Sequence, residues 1–116
     1  MKTLATLILI TLSAVFGSLE AKDRTYRGEY FYNFENSIFT PNGQKEAWCL
    51  GGISMEKAEL PTENSGGPWG TSDVILRGKL GPEGSYGSLG RCKRVLTVTE
   101  IVEVTNMRDR DGKAAP

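Results

Sequence analysis

Two cysteines and the complete lack of histidine limit the chemistry open to this chain. Histidine is the commonest general base and metal ligand in proteins, and no serine lies in a nucleophile-elbow motif. Cys49 and Cys92 are too few to hold zinc on their own. Residues 108–112, Arg-Asp-Arg-Asp-Gly, lack the final glutamate of a calcium loop. We therefore expect no enzymatic activity, no metal site and no cofactor.

Four other side chains are candidates for binding. Trp69 lies in a Gly- and Pro-rich stretch, residues 61–72, that reads as a surface loop. Tyr86 lies in a glycine-rich stretch and is expected to pack inward or to cap the end of the domain. Glu35 stands between aromatic residues and either pairs with Arg94 or receives a ligand. We favour a structural ion pair over a ligand-binding role, because structural ion-pair networks can imitate functional sites.

The N-terminus has the features of a secretory signal peptide. Lys2 precedes an apolar core at residues 4–10, and small residues, among them Gly17, Ser18 and Ala21, stand near the end of the segment. The run is too short, and too diluted by Thr and Ser, for a typical membrane-spanning helix. We predict a signal peptide at residues 1–21, with Gly17 as an alternative cleavage point and an uncleaved anchor as the competing reading. The protein is then periplasmic or extracellular.

Export places Cys49 and Cys92 in an oxidising compartment, where an even number of cysteines usually pairs. We predict a disulfide between them, against the alternative of two buried thiols. On the chain-entropy model, closing a ring of this size stabilises the fold by about 4 kcal/mol. That is a large share of the stability of a small domain.

The elements that position these residues are mostly strands. Alternating or β-branched runs predict strands at residues 25–34, 36–40, 45–50, 73–80 and 91–104, with a bulge near residues 100–102. Residues 54–60 predict a short helix or an irregular crossing. We expect a mainly β fold, a small five-stranded OB-like, partly open barrel at residues 22–107, followed by a disordered tail at 108–116. A small β-sandwich is the alternative.

The glycines at every third position from residue 78 to 90 belong to a corner of this barrel. Collagen needs long imino-rich triplet runs, and a phosphate cradle needs a following helix, whereas a strand follows here. We expect the chain to turn sharply at Pro82 and Gly84, with Gly87 and Gly90 allowing close passage to a neighbour.

Alternate positions of the first strand place four aromatic residues and Gly28 on one face, the aromatic residues being Tyr26, Tyr30, Tyr32 and Phe34. Such a strip either fills the core or stacks against a ligand from the outer surface. Alternation favours the core, because one face of a half-buried strand is normally apolar.

Several short motifs resemble a family of short exported bacterial proteins of unknown function. The family has a Phe-Glu-x-Ser-x-Phe-x-Pro run, a tryptophan strand, a glycine segment around a tyrosine, and a final Arg-x-Leu-x-Val-x-Glu strand. The matching residues are Phe34, Glu35, Ser37, Phe39, Pro41, Trp48, Gly84, Tyr86, Gly87, Gly90, Arg94, Leu96, Val98 and Glu100. Ser88 replaces a histidine, and Cys92 an aromatic residue, that the family tends to carry. The resemblance implies export and a small OB-like barrel, and it implies no activity.

Charge and location narrow the class of partner. Lys plus Arg and Asp plus Glu each total 14, so no net positive field favours nucleic acid. No polybasic segment favours an anionic membrane surface, and we expect no stable membrane insertion once the signal is removed. We expect a monomeric, exported, non-enzymatic domain that binds or supports a protein or another component of the cell envelope. The alternative is a small inhibitor or immunity-type protein of a secreted enzyme.

Overall fold

The computed structural model describes residues 22–61 and 68–114, so the predicted signal peptide lies outside the described residues. These ranges are mainly β, with two short 3-10 turns as their helical content. The strands are β1 (Arg24–Tyr32), β2 (Ser37–Pro41), β3 (Trp48–Gly52), β4 (Gly70–Leu80) and β5 (Arg94–Asp109).

The five strands close into a ring in the order β1-β2-β3-β5-β4. β3 and β5 run parallel, and the other neighbours are antiparallel. The ring departs from an ideal barrel because β2 and β3 pair only through Ile38 with Cys49 and Phe39 with Trp48. This five-stranded arrangement confirms the predicted OB-like, partly open barrel.

Alternate residues of the strands point into the ring and form its core. Tyr30 and Tyr32 are buried there, which confirms the core reading for the centre of the aromatic strip. Each large apolar side chain removed from water contributes about 1.5–3 kcal/mol to folding. The buried core residues are Tyr30, Tyr32, Phe39, Trp48, Met55, Ala58, Val74, Leu76, Leu96 and Val98.

Phe34 does not follow the strip into the core and is 72% exposed. The side-chain Oδ1 of Asn33 accepts hydrogen bonds from the backbone N–H groups of Glu35 and Asn36, at 2.9 and 2.8 Å. This local turn ends β1 at Tyr32. The alternation therefore stops before Phe34, and the prediction that the strip continues through it is wrong.

β5 is long and irregular, as the sequence indicates. Ile75 pairs with Glu103 and Leu76 with Ile101, so Val102 is an extra residue on β5. Thr99 is a second extra residue, between the pairs of Arg77 and Gly78. Such bulges bend and twist a strand, and they let β5 follow β4 around the ring after leaving β3. The bulge predicted near residues 100–102 is confirmed.

The crossing between β3 and β4 covers one end of the core. Its described residues hold one 3-10 turn, Glu56–Ala58, shorter than the helix predicted at residues 54–60. Met55 and Ala58 are both buried, and residues three apart lie on one side of a 3-10 turn. The hydroxyl of Ser72 donates to the carbonyl of Ala58 at 3.0 Å. The backbone N–H of Leu60 donates to the hydroxyl of Tyr32 at 2.8 Å.

β5 continues beyond residue 107, the end of the domain expected from the sequence. Arg108 pairs with Thr71 across the sheet, and its Nη2 lies 3.1 Å from Oε2 of Glu29. After Asp109 the chain turns back, and Lys113 N–H donates to Asp109 Oδ1 at 2.9 Å. The sheet therefore extends through Asp109, two residues into the segment that the sequence assigns to the tail. Within the described ranges, no helix is long and apolar enough to cross a membrane.

Candidate binding surfaces

The four side chains predicted as binding candidates lie in two places. Tyr32, at the end of β1, pairs with Gly70, so Trp69 and the β1–β2 connection that carries Glu35 share one end of the barrel. Trp48 pairs with Arg94, and Tyr86 lies in the connection that leads into β5. Trp69 and Glu35 are thus separated from Tyr86 and Arg94 by the length of the strands.

At the first end, three aromatic residues lie outside the core. The ring of Trp69 stands edge-on to the ring of Phe31, with centroids 6.4 Å apart, and Trp69 is 38% exposed. Phe31 is half-buried on the outer side of β1, and Phe34 lies in the adjoining connection. We call Phe31, Phe34 and Trp69 the aromatic edge. Phe31 lies within β1, which pairs with β2 and β4, so contact with a partner costs little ordering of the backbone at Phe31.

Glu35 is exposed beside the aromatic edge. Its backbone N–H donates to Asn33, but the described residues give its carboxylate no ion pair. The expected pairing of Glu35 with Arg94 is therefore wrong, because their elements lie at opposite ends of the barrel. Glu35 places a negative charge next to exposed aromatic surface.

Arg94 instead braces the opposite end. Its Nη1 donates to the carbonyl of Gly81 at 2.9 Å. Its Nη2 lies 3.4 Å from Glu83, and its Nε lies 3.7 Å from Glu46. Glu46 also accepts the indole N–H of Trp48 at 3.0 Å. These contacts give Arg94 a structural role, with each partly exposed ion pair contributing about 0–1 kcal/mol.

Tyr86 is half-buried and holds the connection between β4 and β5 together. Its hydroxyl donates to the carbonyl of Pro82 at 2.9 Å. Its backbone exchanges two hydrogen bonds with Cys92, at 2.9 and 3.0 Å. We call residues 81–93 the glycine corner. Tyr86 is one of its internal supports.

The predicted disulfide between Cys49 and Cys92 is confirmed, with the two Cα atoms 5.4 Å apart. It ties the end of the glycine corner to β3. Gly87 passes directly over it with a φ of +73°, and a Cβ at this position would lie 2.7 Å from Sγ of Cys49. Only glycine combines this backbone conformation with this approach.

Leu89 is a residue that sequence reasoning missed, and at 86% it is the most exposed large apolar side chain of the described residues. Leu89 sits in the 3-10 turn Ser88–Gly90 with φ 60° and ψ 20°, the left-handed region. Non-glycine residues seldom adopt this conformation. Nothing in the triplet Ser-Leu-Gly signals it, because leucine ordinarily indicates a buried position.

Tyr30 forms the centre of a polar cluster below the crossing. Its hydroxyl donates to Oε2 of Glu59 at 2.5 Å and lies 2.8 Å from the hydroxyl of Ser37. Burial, followed by the hydrogen bond to Glu59, raises the pKa of Tyr30 well above its ordinary value. The hydroxyl of Tyr30 is therefore held neutral. A neutral hydroxyl is suited to a structural hydrogen bond and not to the role of a catalytic base.

Comparison with protein-family models, with curated proteins and with solved structures found no match for this chain. Among residues 22–61 and 68–114, no three His, Cys, Asp or Glu side chains come together in a way that could hold a metal ion.

Proposed function

We propose that this protein is an exported, non-enzymatic domain that binds a protein component of the cell envelope through the aromatic edge. One observation carries the proposal: Trp69 and Phe34 are 38% and 72% exposed at the same end of a barrel whose other aromatic residues largely fill the core. Aromatic side chains are enriched at protein interfaces and among the residues that dominate their binding energy.

The surroundings of the aromatic edge favour a protein over a nucleic acid. Glu35 is exposed beside it, and a carboxylate repels a phosphate backbone. The polar Asn33 and Asn36 flank Phe34 on either side along the chain. An aromatic patch with a polar rim is the usual composition of a protein interface.

Export is supported from two directions. The Cys49–Cys92 disulfide is compatible with an oxidising compartment. The pattern of the first 21 residues is that of a signal peptide. The lack of histidine in the sequence, together with both cysteines being bonded to each other, supports a non-enzymatic role.

Co-purification tests the proposal. The full chain, with its own N-terminus and a C-terminal affinity tag, is produced in its natural cells and recovered from the envelope fraction after mild cross-linking. Trp69→Ser should lose the partner protein that the wild type retains. Val102→Ser is the matched control, since Val102 is 48% exposed on β5, and it should retain that protein. Equal recovery by Trp69→Ser and the wild type would refute the assignment of the aromatic edge.

A second candidate function, inhibition of a secreted enzyme, is favoured by the glycine corner at the other end. A rigid loop that projects an exposed side chain is suited to enter a cleft, because little conformational freedom is lost on binding. Inhibition of an envelope hydrolase by the purified full chain, abolished by a change in the glycine corner, would support it. Failure of such a change to affect inhibition would exclude this loop.

A further inference from the structure

We infer that Leu89 is an anchor residue, which the glycine corner inserts into an apolar pocket of a partner protein whose rim carries carboxylates. The inference rests on the proposed binding function of the domain but concerns a different surface from the aromatic edge. It specifies the residue that enters the partner and the chemistry of the surface that receives it.

The conformation of Leu89 is the first observation. Leu89 is 86% exposed and has a φ of 60°. The fold therefore gains almost no burial from the side chain, while the backbone adopts a region that leucine disfavours. Glycine would take the same conformation without strain. A strained, exposed leucine is best explained by an interaction outside the chain, since strained residues concentrate at binding and active sites.

The rigidity of the glycine corner is the second observation. The Cys49–Cys92 disulfide fixes its end, and the backbone of Tyr86 is bonded twice to Cys92. The N–H of Gly90 closes the turn on the carbonyl of Gly87 at 3.1 Å. The backbone that carries Leu89 is therefore held in place before any partner arrives. Preorganisation of this kind raises affinity by lowering the entropy lost on binding.

The size of the apolar feature argues for a pocket rather than a lipid surface. The neighbours of Leu89 along the tip are Gly87, Ser88 and Gly90, so a single large apolar side chain projects from small residues. A membrane surface is bound by a broad apolar face. A lone projecting side chain instead suits a concave site, in which anchor residues are surrounded by protein and water is excluded.

The charges beside the tip indicate the rim of that pocket. Arg91 and Lys93 are both exposed, and neither forms an ion pair with the residues that the structure describes. Glu83, the acidic residue of the corner, lies 3.4 Å from Arg94. These two cations beside the tip therefore favour carboxylates on the partner, and such complementarity mainly accelerates association.

Photo-cross-linking from position 89 tests the inference in the full chain. A diazirine-bearing leucine analogue is placed at position 89 or, as a control, at position 102, and the natural cells are irradiated. We expect a discrete adduct with one exported protein from position 89 alone. The adduct should map to residues that line an apolar concavity with carboxylates at its rim. No adduct, an adduct with lipid, or an adduct on a flat polar surface would overturn the inference.

Affinity for the cross-linked protein gives the second readout. Leu89→Gly should weaken binding by about 30-fold or more, the effect of losing an anchor residue, without lowering the thermal stability of the full chain. Leu89→Met, which keeps a large apolar side chain, should stay within about threefold of the wild type. Unchanged affinity for Leu89→Gly would refute the anchor role.

The two proposals fail separately. If Trp69→Ser loses the co-purified protein while Leu89→Gly binds the protein cross-linked from position 89 as tightly as the wild type does, the anchor inference is refuted and the aromatic edge stands. If Leu89→Gly loses affinity for the cross-linked protein while Trp69→Ser keeps the co-purified protein, the aromatic edge is refuted and the anchor stands.

Discussion

At the residue scale, Leu89 and Tyr30 show opposite relations between a side chain and the stability of the fold. Leu89 is exposed in a left-handed conformation, whereas Tyr30 is buried with its hydroxyl fully engaged. The backbone conformation of Leu89 lowers the stability of the fold, and burial of its side chain contributes almost nothing in compensation. Tyr30 contributes stability through hydrogen bonds that only the folded state can form. Substitutions at the two positions should therefore act in opposite directions.

Replacing Leu89 with glycine should raise the free energy of unfolding by up to about 1 kcal/mol. Removing the Cβ relieves the strain of the left-handed backbone conformation. The free energy gained in this way exceeds the entropic stabilisation that glycine gives the unfolded chain. Urea titration of the full chain measures the change. As a control, Leu89→Ala keeps the Cβ and should give no such increase. A clear loss of stability in Leu89→Gly would mean that the leucine side chain supports the fold.

Replacing Tyr30 with phenylalanine should lower the free energy of unfolding at neutral pH by about 1–2 kcal/mol, because Glu59 and Ser37 lose their shared partner. The pKa of Tyr30 is raised in the folded state, so the contribution of its proton is complete below about pH 10, the ordinary tyrosine value. That contribution is lost as the pH rises further.

The pH dependence separates this effect from simple packing. Denaturant titrations should show the gap between the wild type and Tyr30→Phe closing as the pH rises above about 10. Tyr26→Phe, on the same strand, is the control and should keep the alkaline loss, because it retains Tyr30. A gap that is constant between neutral and strongly alkaline pH would contradict the proposed proton linkage.

At the element scale, the glycine corner is shaped by its close contact with the Cys49–Cys92 disulfide. Gly87 combines a positive φ with close approach to the sulfur of Cys49, whereas Gly43 has a φ of +77° and open space, with no atom within 4 Å of where a Cβ would stand. Substitutions at Gly87 and Gly43 therefore separate the energetic cost of backbone strain from the cost of steric contact. The corner keeps its shape only if both requirements at Gly87 are met.

Alanine at Gly87 should lower the free energy of unfolding by about 2–3 kcal/mol, and alanine at Gly43 by about 1 kcal/mol. The difference is the cost of moving the chain away from the disulfide. Thermal and urea unfolding of both variants measure it. Equal losses in the two variants would show that contact with the Cys49 sulfur carries no energetic weight.

At the scale of the whole molecule, the class of fold is readable from the sequence. Alternation places the strands, and the apolar density of residues 91–104 indicates the long, bulged strand that closes the ring. The disulfide follows from the cysteine count and the predicted export. These features depend on local patterns, and local patterns are readable along a single chain.

The composition of the candidate binding surfaces is harder to predict from the sequence, because it depends on which strands and connections meet at each end of the barrel. The pairing of Glu35 with Arg94 fails because the strand order puts them at opposite ends of the barrel. Alternation assigns Phe34 to the core because the turn made by Asn33 is invisible to a two-residue period. Leu89 gives no signal at all, since its exposure and backbone conformation follow from the shape of the whole corner.

Radical footprinting tests the central claim, that the aromatic edge is covered by a partner in the cell envelope. The full chain is labelled by hydroxyl radicals as purified protein and again within the isolated envelope fraction. We expect Trp69 and Phe34 to be protected in the envelope, while Val102 and Ile53, which are 48% and 45% exposed, are labelled equally in both samples. Equal labelling of Trp69 and Phe34 in the two samples would contradict the proposed function.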